Sequence, residues 1–281
     1  MLTSYHNHST WSDGTASIRE MALAARAAGV TEFGISDHLV LPPNSAIAEK
    51  AASWSMKPEV FGDYVQAAWE VKNELQTPEF QFRIGVEADF FEENIDSLKA
   101  MLAKQPRLDY VIGACHYAGD FEIDHAAEDW DPLDEAARQR IWEIYLDKIQ
   151  GACQADYCDF VAHLDLPKKF GARLPGALKP QMEHTIRAVA EAGLAMEINT
   201  AGLDKPCREW YPSQEILQRA IALEIPLLVN ADAHATSQVT RYFTEAREAL
   251  RKLNVAQVCE FTQRRRRFIG LEKQYYNSLN Y

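Results

Sequence analysis

Two imidazoles and a carboxylate crowd the start of the chain: His6 and His8 flank Asn7, and Asp13 follows closely. On an extended strand, residues i and i+2 point to the same side. His6 and His8 can therefore present two ring nitrogens to one metal ion. An H-x-H pair alone is a weak signal, and the rest of the histidine inventory strengthens it. The chain has eight histidines, and six of them (His6, His8, His38, His116, His163, His234) fall at or just past the ends of short apolar runs. His125 and His184 do not, and His184 reads as a structural residue of a helix. Carboxylates recur at the same places: Asp37 in ISDH, Glu87 in IGVEAD and Asp232 in NADAH. Imidazole and carboxylate without thiolate suit zinc, manganese or iron. More than four ligands imply more than one ion, and Glu87, with two oxygens, is the natural bridge. Adjacent ions activate a water and clamp the oxygens of an in-line phosphoryl displacement.

The elements that must position these side chains are short strands alternating with helices. Strands are expected over Ser4–His8, Glu32–Asp37, Phe82–Ala88, Tyr110–His116, Phe160–His163, Ala195–Thr200 and Pro226–Ala231. The helical stretches are Ala16–Ala28, stopped by Gly29, and Glu59–Leu75 after Pro58. Asp131–Gln150 opens on Asp-Pro, a cap and a first-turn proline. Leu178–Ala192 ends at Gly193, Ser213–Leu223 starts on a serine cap, and the last helix spans Arg241–Leu253. A βα unit repeated about seven times implies a parallel sheet, open or closed into a barrel. In a barrel all strand C-termini gather on one face, so the six imidazoles converge on one mouth. Leu39–Pro58 is the longest irregular stretch and long enough to act as a flap. The run Arg264–Arg267 reads as a solvated face.

Composition narrows the class of partner. The 281 residues are 47% hydrophobic and 25% charged, the profile of one globular domain over 1–281. A net charge of -12 argues against a long nucleic acid as partner. A small anionic substrate stays possible, because bound metal reverses the field locally. The five cysteines are odd in number and lack a C-x-x-C pair, so reduced, mostly buried thiols are expected. No run approaches the ~18 apolar residues of a membrane span, and the N-terminus lacks signal-peptide features. A cytoplasmic protein with no membrane partner is expected. The sequence leaves the oligomeric state unspecified.

Taken in order, H-x-H, S-D-H, G-x-E-x-D, the strand-end His116, H-x-D-L and D-A-H resemble the motifs of the polymerase and histidinol phosphatase (PHP) family. The resemblance covers nearly the whole chain. HLDLPKKFG (163–171), EINTAGLDKP (197–206) and YPSQEIL (211–217) are similar to its monofunctional histidinol-phosphatase branch. The resemblance implies a distorted (β/α)7 TIM-like barrel with a trinuclear metal site, two to three divalent ions (Zn, Mn or Fe), and hydrolysis of L-histidinol phosphate. Carried over residue by residue, it implies a first metal on His6, His8, Glu87 and Asp232. A second would share Glu87 and add His116 and His163, and a third would use Asp13, His38 and His234. Lys169, Arg173, Lys205 and Arg208 are the candidates to hold the phosphate. Glu87, Asp232 and His234 are the candidate catalytic residues, Glu87 as the metal bridge and Asp232 or His234 to assist the leaving alkoxide. Asp120, Glu122 or Asp124 would receive the substrate's amino group. The rival readings are a PHP phosphoesterase acting on a nucleotide or short oligonucleotide, an amidohydrolase, and a metal-storage or scaffold protein without turnover. Amidohydrolases commonly bridge their metals with a lysine, where this chain offers Glu87.

Overall fold

The computed structural model describes residues 3–271. In chain order the strands are β1 (Thr3–Ser4), β2 (Glu32–Ile35), β3 (His38–Leu39), β4 (Gln81–Ile84), β5 (Glu87–Asp89), β6 (Ile112–Ala114), β7 (Tyr117–Ala118), β8 (Phe121–Glu122), β9 (Phe160–Val161), β10 (Ala195–Asn199), β11 (Leu227–Asn230), β12 (Gln257–Thr262) and β13 (Arg265–Gly270). The helices are α1 (Ile18–Ala27), α2 (Ser45–Ala51), α3 (Phe61–Leu75), α4 (Ile95–Ala103), α5 (Glu135–Gln154), α6 (Lys179–Glu191), α7 (Gln214–Ala222) and α8 (Phe243–Lys252).

β1, β2 and β4 pair in parallel, and a second parallel sheet runs β11-β10-β9-β6-β5-β3. The expected strand Phe82–Ala88 is thus broken into β4 and β5, and Glu32–Asp37 stops at Ile35 with β3 starting beyond its expected end; β2 and β4 pair in one sheet, β3 and β5 in the other. At the breaks, the Tyr64 hydroxyl donates to Gly85 O at 2.8 Å, and Asp37 turns its carboxylate away to accept from Ser9 and Ser12. Past β1 the chain still bonds on both sides. Ser36 N donates to Asn7 O and His8 N to Ala233 O, both at 2.8 Å, and Asn7 bridges Ala233 in parallel. The first strand lane therefore meets the last, as in a distorted (β/α)7 TIM-like barrel.

Two apolar layers follow from the period of two along strands. Val111, Val161, Met196 and Leu227 join the large cluster under the helices. Their neighbours Ile112, Phe160, Ala195 and Leu228 belong to a separate cluster with Tyr5 and Tyr110, inside the ring of strands. Cys259 and Phe261 of the β12–β13 hairpin enter the same inner cluster and plug the end opposite the strand C-termini. Tyr110 is fully buried there, with its hydroxyl against the carbonyls of Tyr5 and Ile35. A Cβ on Gly85 would lie 2.2 Å from the ring of Tyr110, which is fully buried. Overpacking of this kind costs about 1–3 kcal/mol. Gly85→Ala is expected to lower unfolding stability by at least that much, measured by chemical denaturation, and an unchanged midpoint would contradict the close approach.

The structure revises several expected elements. α4 and α2 were not anticipated, and α2 lies inside Leu39–Pro58, so this stretch is partly helical, with Asn44 capping Ile47 N at 3.0 Å. The helix expected from Asp131 begins instead at Glu135, because Asp134 is the residue whose carboxylate accepts from Ala137 N, at 2.8 Å. The arginine run is not simply a solvated face. Arg264 reaches Asp159 and Tyr157 O, Arg266 reaches Gly193 O, and Arg267 reaches Glu260, tying the hairpin across the barrel end. Four of the five cysteines are buried and Cys207 is partly so. No helix among the described residues is long and apolar enough to cross a membrane.

Candidate metal centre

His38 and Glu87 sit at the starts of β3 and β5, whose residues are in register with each other. The other candidates lie just past strand ends: His6 and His8 after β1, His116 after β6, His163 after β9, and Asp232 and His234 after β11. Asp13 arrives on the loop after His8. Asp37 shapes that loop by accepting from Ser9 N (2.7 Å) and Ser12 Oγ (2.6 Å). The loop turns tightly at Gly14, where a Cβ would lie 2.5 Å from His8 O.

Glu87 is the hub. Its Oε2 lies 3.0 Å from His6 Nε2, 3.6 Å from His8 Nε2 and 2.8 Å from His38 Nδ1. Its Oε1 lies 3.0 Å from His163 Nε2 and 3.7 Å from His116 Nε2. Asp232 Oδ1 stands 3.2 Å from His8 Nε2 and 3.6 Å from His6 Nε2. Asp13 Oδ2 lies 3.1 Å from His234 Nε2, and its Oδ1 3.7 Å from His38 Nε2. All nine residues expected as ligands thus converge. They fall into four overlapping groups: His8, Asp13, His38 and His234; His6, His8 and Asp232; His6, Glu87 and His163; His38, Glu87 and His116. The first group contains the expected third set, Asp13, His38 and His234, and His38 also groups with Glu87 and His116.

The donors fit divalent ions. Buried polar atoms normally find a partner, yet His6 Nε2, both ring nitrogens of His8, His38 Nδ1 and Glu87 Oε2 are buried with no hydrogen bond among the described residues. Burial, helped by His38 and His234, pushes the His8 pKa down to about 3, so its imidazole is neutral with a free lone pair. Burial would raise the Glu87 pKa, but the imidazoles, His6 foremost, outweigh it and hold the carboxyl well below its ordinary range. On His6 and His38 the neighbouring carboxylates, Glu87 foremost, outweigh burial and raise the pKa, so a divalent ion there would take the place of a proton between imidazole and carboxylate.

An outer ring of carboxylates orients the imidazoles, and the sequence reading missed its roles. Glu197, fully buried on β10, accepts from His6 Nδ1 at 2.9 Å and from His163 N at 2.8 Å. Asp89 holds His116 Nδ1 at 2.6 Å. Such partners fix which ring nitrogen stays free for metal. A signal existed: Asp89 stands at i+2 from Glu87 and Glu197 at i+2 from Ala195, whose side chain points into the barrel.

Above the cluster opens a cleft of about 380 Å³. Its lining includes the cations Lys169, Lys205 and Arg241, and also Trp54, Glu122, Asp124 and His125. Trp54 comes from the stretch expected to be a flap and meets the His38 and His116 rings edge-on, with centroids 4.8 and 5.2 Å away. Lys169 Nζ donates to Asp124 O at 2.6 Å and faces Asp124 Oδ2 at 3.1 Å. Of the four expected phosphate cations, the structure brings Lys169 and Lys205 to the cleft and leaves the other two outside. The Arg173 side chain is 82% exposed, pairs with Glu209 at 3.6 Å and lines a different cavity. Arg208, with φ 52°, is exposed and donates to Leu203 O. Both loops turn outward, which loop composition does not reveal. Asp120 accepts from Asn44 at 3.0 Å away from the cleft lining, whereas Glu122 and Asp124 line it. His125, set aside in the sequence, lines the rim as well.

The family model described as PHP domain matches residues 4–201. A curated protein of Deinococcus radiodurans, named "Probable histidinol-phosphatase", is 32% identical over 240 residues, covering 84% of this chain and 87% of its own. Among solved structures, the hisK protein of Listeria monocytogenes superposes with a TM-score of 0.77 at 23% identity, over 86% of this chain and 99% of that one. Histidinol phosphate phosphatase of Lactococcus lactis, solved with Zn, L-histidinol and phosphate, gives a TM-score of 0.75 at 21% identity, over 95% of this chain and 98% of that one.

Proposed function

The chain belongs to the PHP domain family, and on that premise we propose that it hydrolyses L-histidinol phosphate to L-histidinol and phosphate. The observation that carries the reading is the set of groups that meet in the cleft. Nine candidate metal ligands stand together beside a cleft lined by the cations Lys169, Lys205 and Arg241 and by the acids Glu122 and Asp124 with the indole of Trp54. A substrate with phosphate at one end and an amine and imidazole at the other matches that layout. The relative from Lactococcus lactis, solved with Zn, L-histidinol and phosphate, supports the same choice.

In this reading two to three divalent ions, Zn, Mn or Fe, are held by His6, His8, Asp13, His38, Glu87, His116, His163, Asp232 and His234. Bound ions supply an activated water at neutral pH and neutralise the phosphate oxygens. The chain's own groups do the rest. Lys169 and Lys205 hold the outer phosphate oxygens. Glu122, half-buried beside Asp124, faces the amine end, and Trp54 offers an aromatic face to the imidazole while keeping water from the floor. Asp232 and His234, at the cleft edge, are placed to assist the leaving alkoxide. Burial, followed by its neighbour Asp124, raises the Glu122 pKa, and a bound ammonium would favour its charged form.

The test compares kcat/KM across L-histidinol phosphate, nucleoside monophosphates and sugar phosphates with metal-loaded protein. An amine paired with a carboxylate is worth about 1.5–3 kcal/mol, so L-histidinol phosphate should lead by about 10- to 150-fold. If a nucleotide or sugar phosphate leads, the substrate assignment is wrong. If none is turned over, the phosphoesterase reading falls as well.

A further inference from the structure

Arg241 enters the cleft from the turn before α8, and its guanidinium is anchored on two sides. Nε donates to Ala231 O at 2.9 Å and Nη2 to Asp232 O at 2.7 Å. Its plane is thereby fixed on the backbone just past β11. Nη1 donates to Asp204 Oδ2 at a longer 3.3 Å, and the other Asp204 oxygen accepts from the Tyr242 hydroxyl at 2.5 Å. A guanidinium has five N–H donors. Three are engaged, which leaves one on each terminal nitrogen of a side chain that lines the cleft. Lys205 lines the same cleft, and its Nζ has no hydrogen bond or ion pair among the described residues.

We propose that Arg241 is a phosphate-binding residue of the cleft, and that Asp204 attenuates its grip by competing with substrate phosphate for Nη1. The proposal rests on the phosphomonoester reading of the site but not on which phosphomonoester is best. Arginine suits the role because its fork can grip phosphate through two N–H groups at once, and the carbonyls of residues 231 and 232 hold the fork in place before phosphate arrives. Asp204 is 43% exposed against 12% for Arg241, so its ion pair is weak and exchangeable.

The two residues give effects of opposite sign. The readouts are calorimetric binding of inorganic phosphate to metal-loaded protein, the KM and kcat of the best substrate, and metal content by elemental analysis. Arg241→Gln should weaken phosphate binding about 10- to 150-fold. Asp204→Asn should tighten it about twofold to fivefold and lower KM. In an Arg241→Gln background, Asp204→Asn should lose most of that gain. Unchanged phosphate affinity in metal-replete Arg241→Gln, or weaker binding in Asp204→Asn, overturns the proposal. If Arg241→Gln fails to fold or to retain metal, the Asp204→Asn arm and Arg241→Lys decide. Lysine keeps the charge but loses the fork, and must still weaken phosphate binding. Failure of the wild-type protein to turn over any phosphomonoester would overturn the underlying reading instead, so the two failures are distinguishable.

Discussion

Glu87→Gln is expected to lose bound metal and turnover together. Both oxygens of Glu87 are committed: Oε2 faces three imidazoles and Oε1 two, all within 3.7 Å. A carboxylate there can share one negative charge between two adjacent cations. Glutamine keeps the shape, removes the charge, and turns an amide N–H₂ toward nitrogens or ions that need an acceptor. Breaking a buried charge pair by removing one partner costs about 3–5 kcal/mol, which is about two to four decades in kcat/KM. Elemental analysis of the purified variant should show less than the wild-type metal content, with circular dichroism unchanged. A variant with full metal content and normal turnover would remove Glu87 from the centre of the site.

The second large effect should come from a residue that touches no candidate metal position. Glu197 is fully buried, and its two oxygens accept from four donors. His6 Nδ1 and Asn230 Nδ2 reach Oε2, both at 2.9 Å. His163 N (2.8 Å) and Asn199 Nδ2 (3.0 Å) reach Oε1. In Glu197→Gln, whichever way the amide is turned, its nitrogen confronts two of these donors. Each donor left unsatisfied costs about 1–3 kcal/mol. Loss of the His6 orientation should weaken metal binding about 10- to 100-fold. Urea unfolding measures the first effect and zinc titration against a competing chelator the second. Weakened stability with unchanged zinc affinity would make Glu197 a packing residue rather than an orienting one.

Asp89 does the same for His116 on the other side of Glu87, at 2.6 Å. The cluster therefore has a carboxylate on both its inner and its outer surface. The inner carboxylates meet the free ring nitrogens, and the outer ones take the N–H of the opposite nitrogen. This division fixes how each buried ring is turned and which nitrogen faces the cluster, and against the effect of burial Asp89 raises the His116 pKa to about 10.

Much of this was legible in the residues themselves. Strand and helix periods are local, so Ala16–Ala28, Glu59–Leu75 and the strand at Ala195–Thr200 could be read within a residue or two of α1, α3 and β10. Ligand chemistry is local too: imidazole and carboxylate at strand ends read as metal donors wherever the strands close. Less legible were the breaks at Ser36–Asp37 and Gly85–Val86. An unbroken apolar run does not show that its two halves pair with different neighbours. The β12–β13 hairpin was missed because an arginine run resembles a solvated face until the buried carboxylates Glu32 and Glu260 are found beneath it.

By itself the sequence determined the donor types, the addresses of most of them past strand ends, and the repeated βα frame that brings those ends to one face; His38 and Glu87 instead open the short strands β3 and β5. Only the tertiary structure decided which carboxylate meets which ring, and which cations look into the cleft. Arg173 and Arg241 are indistinguishable as residue types. One turns outward to Glu209. The other is held inward by the carbonyls of Ala231 and Asp232 and by Asp204, 37 residues away along the chain. The direction of a loop side chain is set by such long-range partners, whereas strand periodicity and ligand chemistry are written in neighbouring residues.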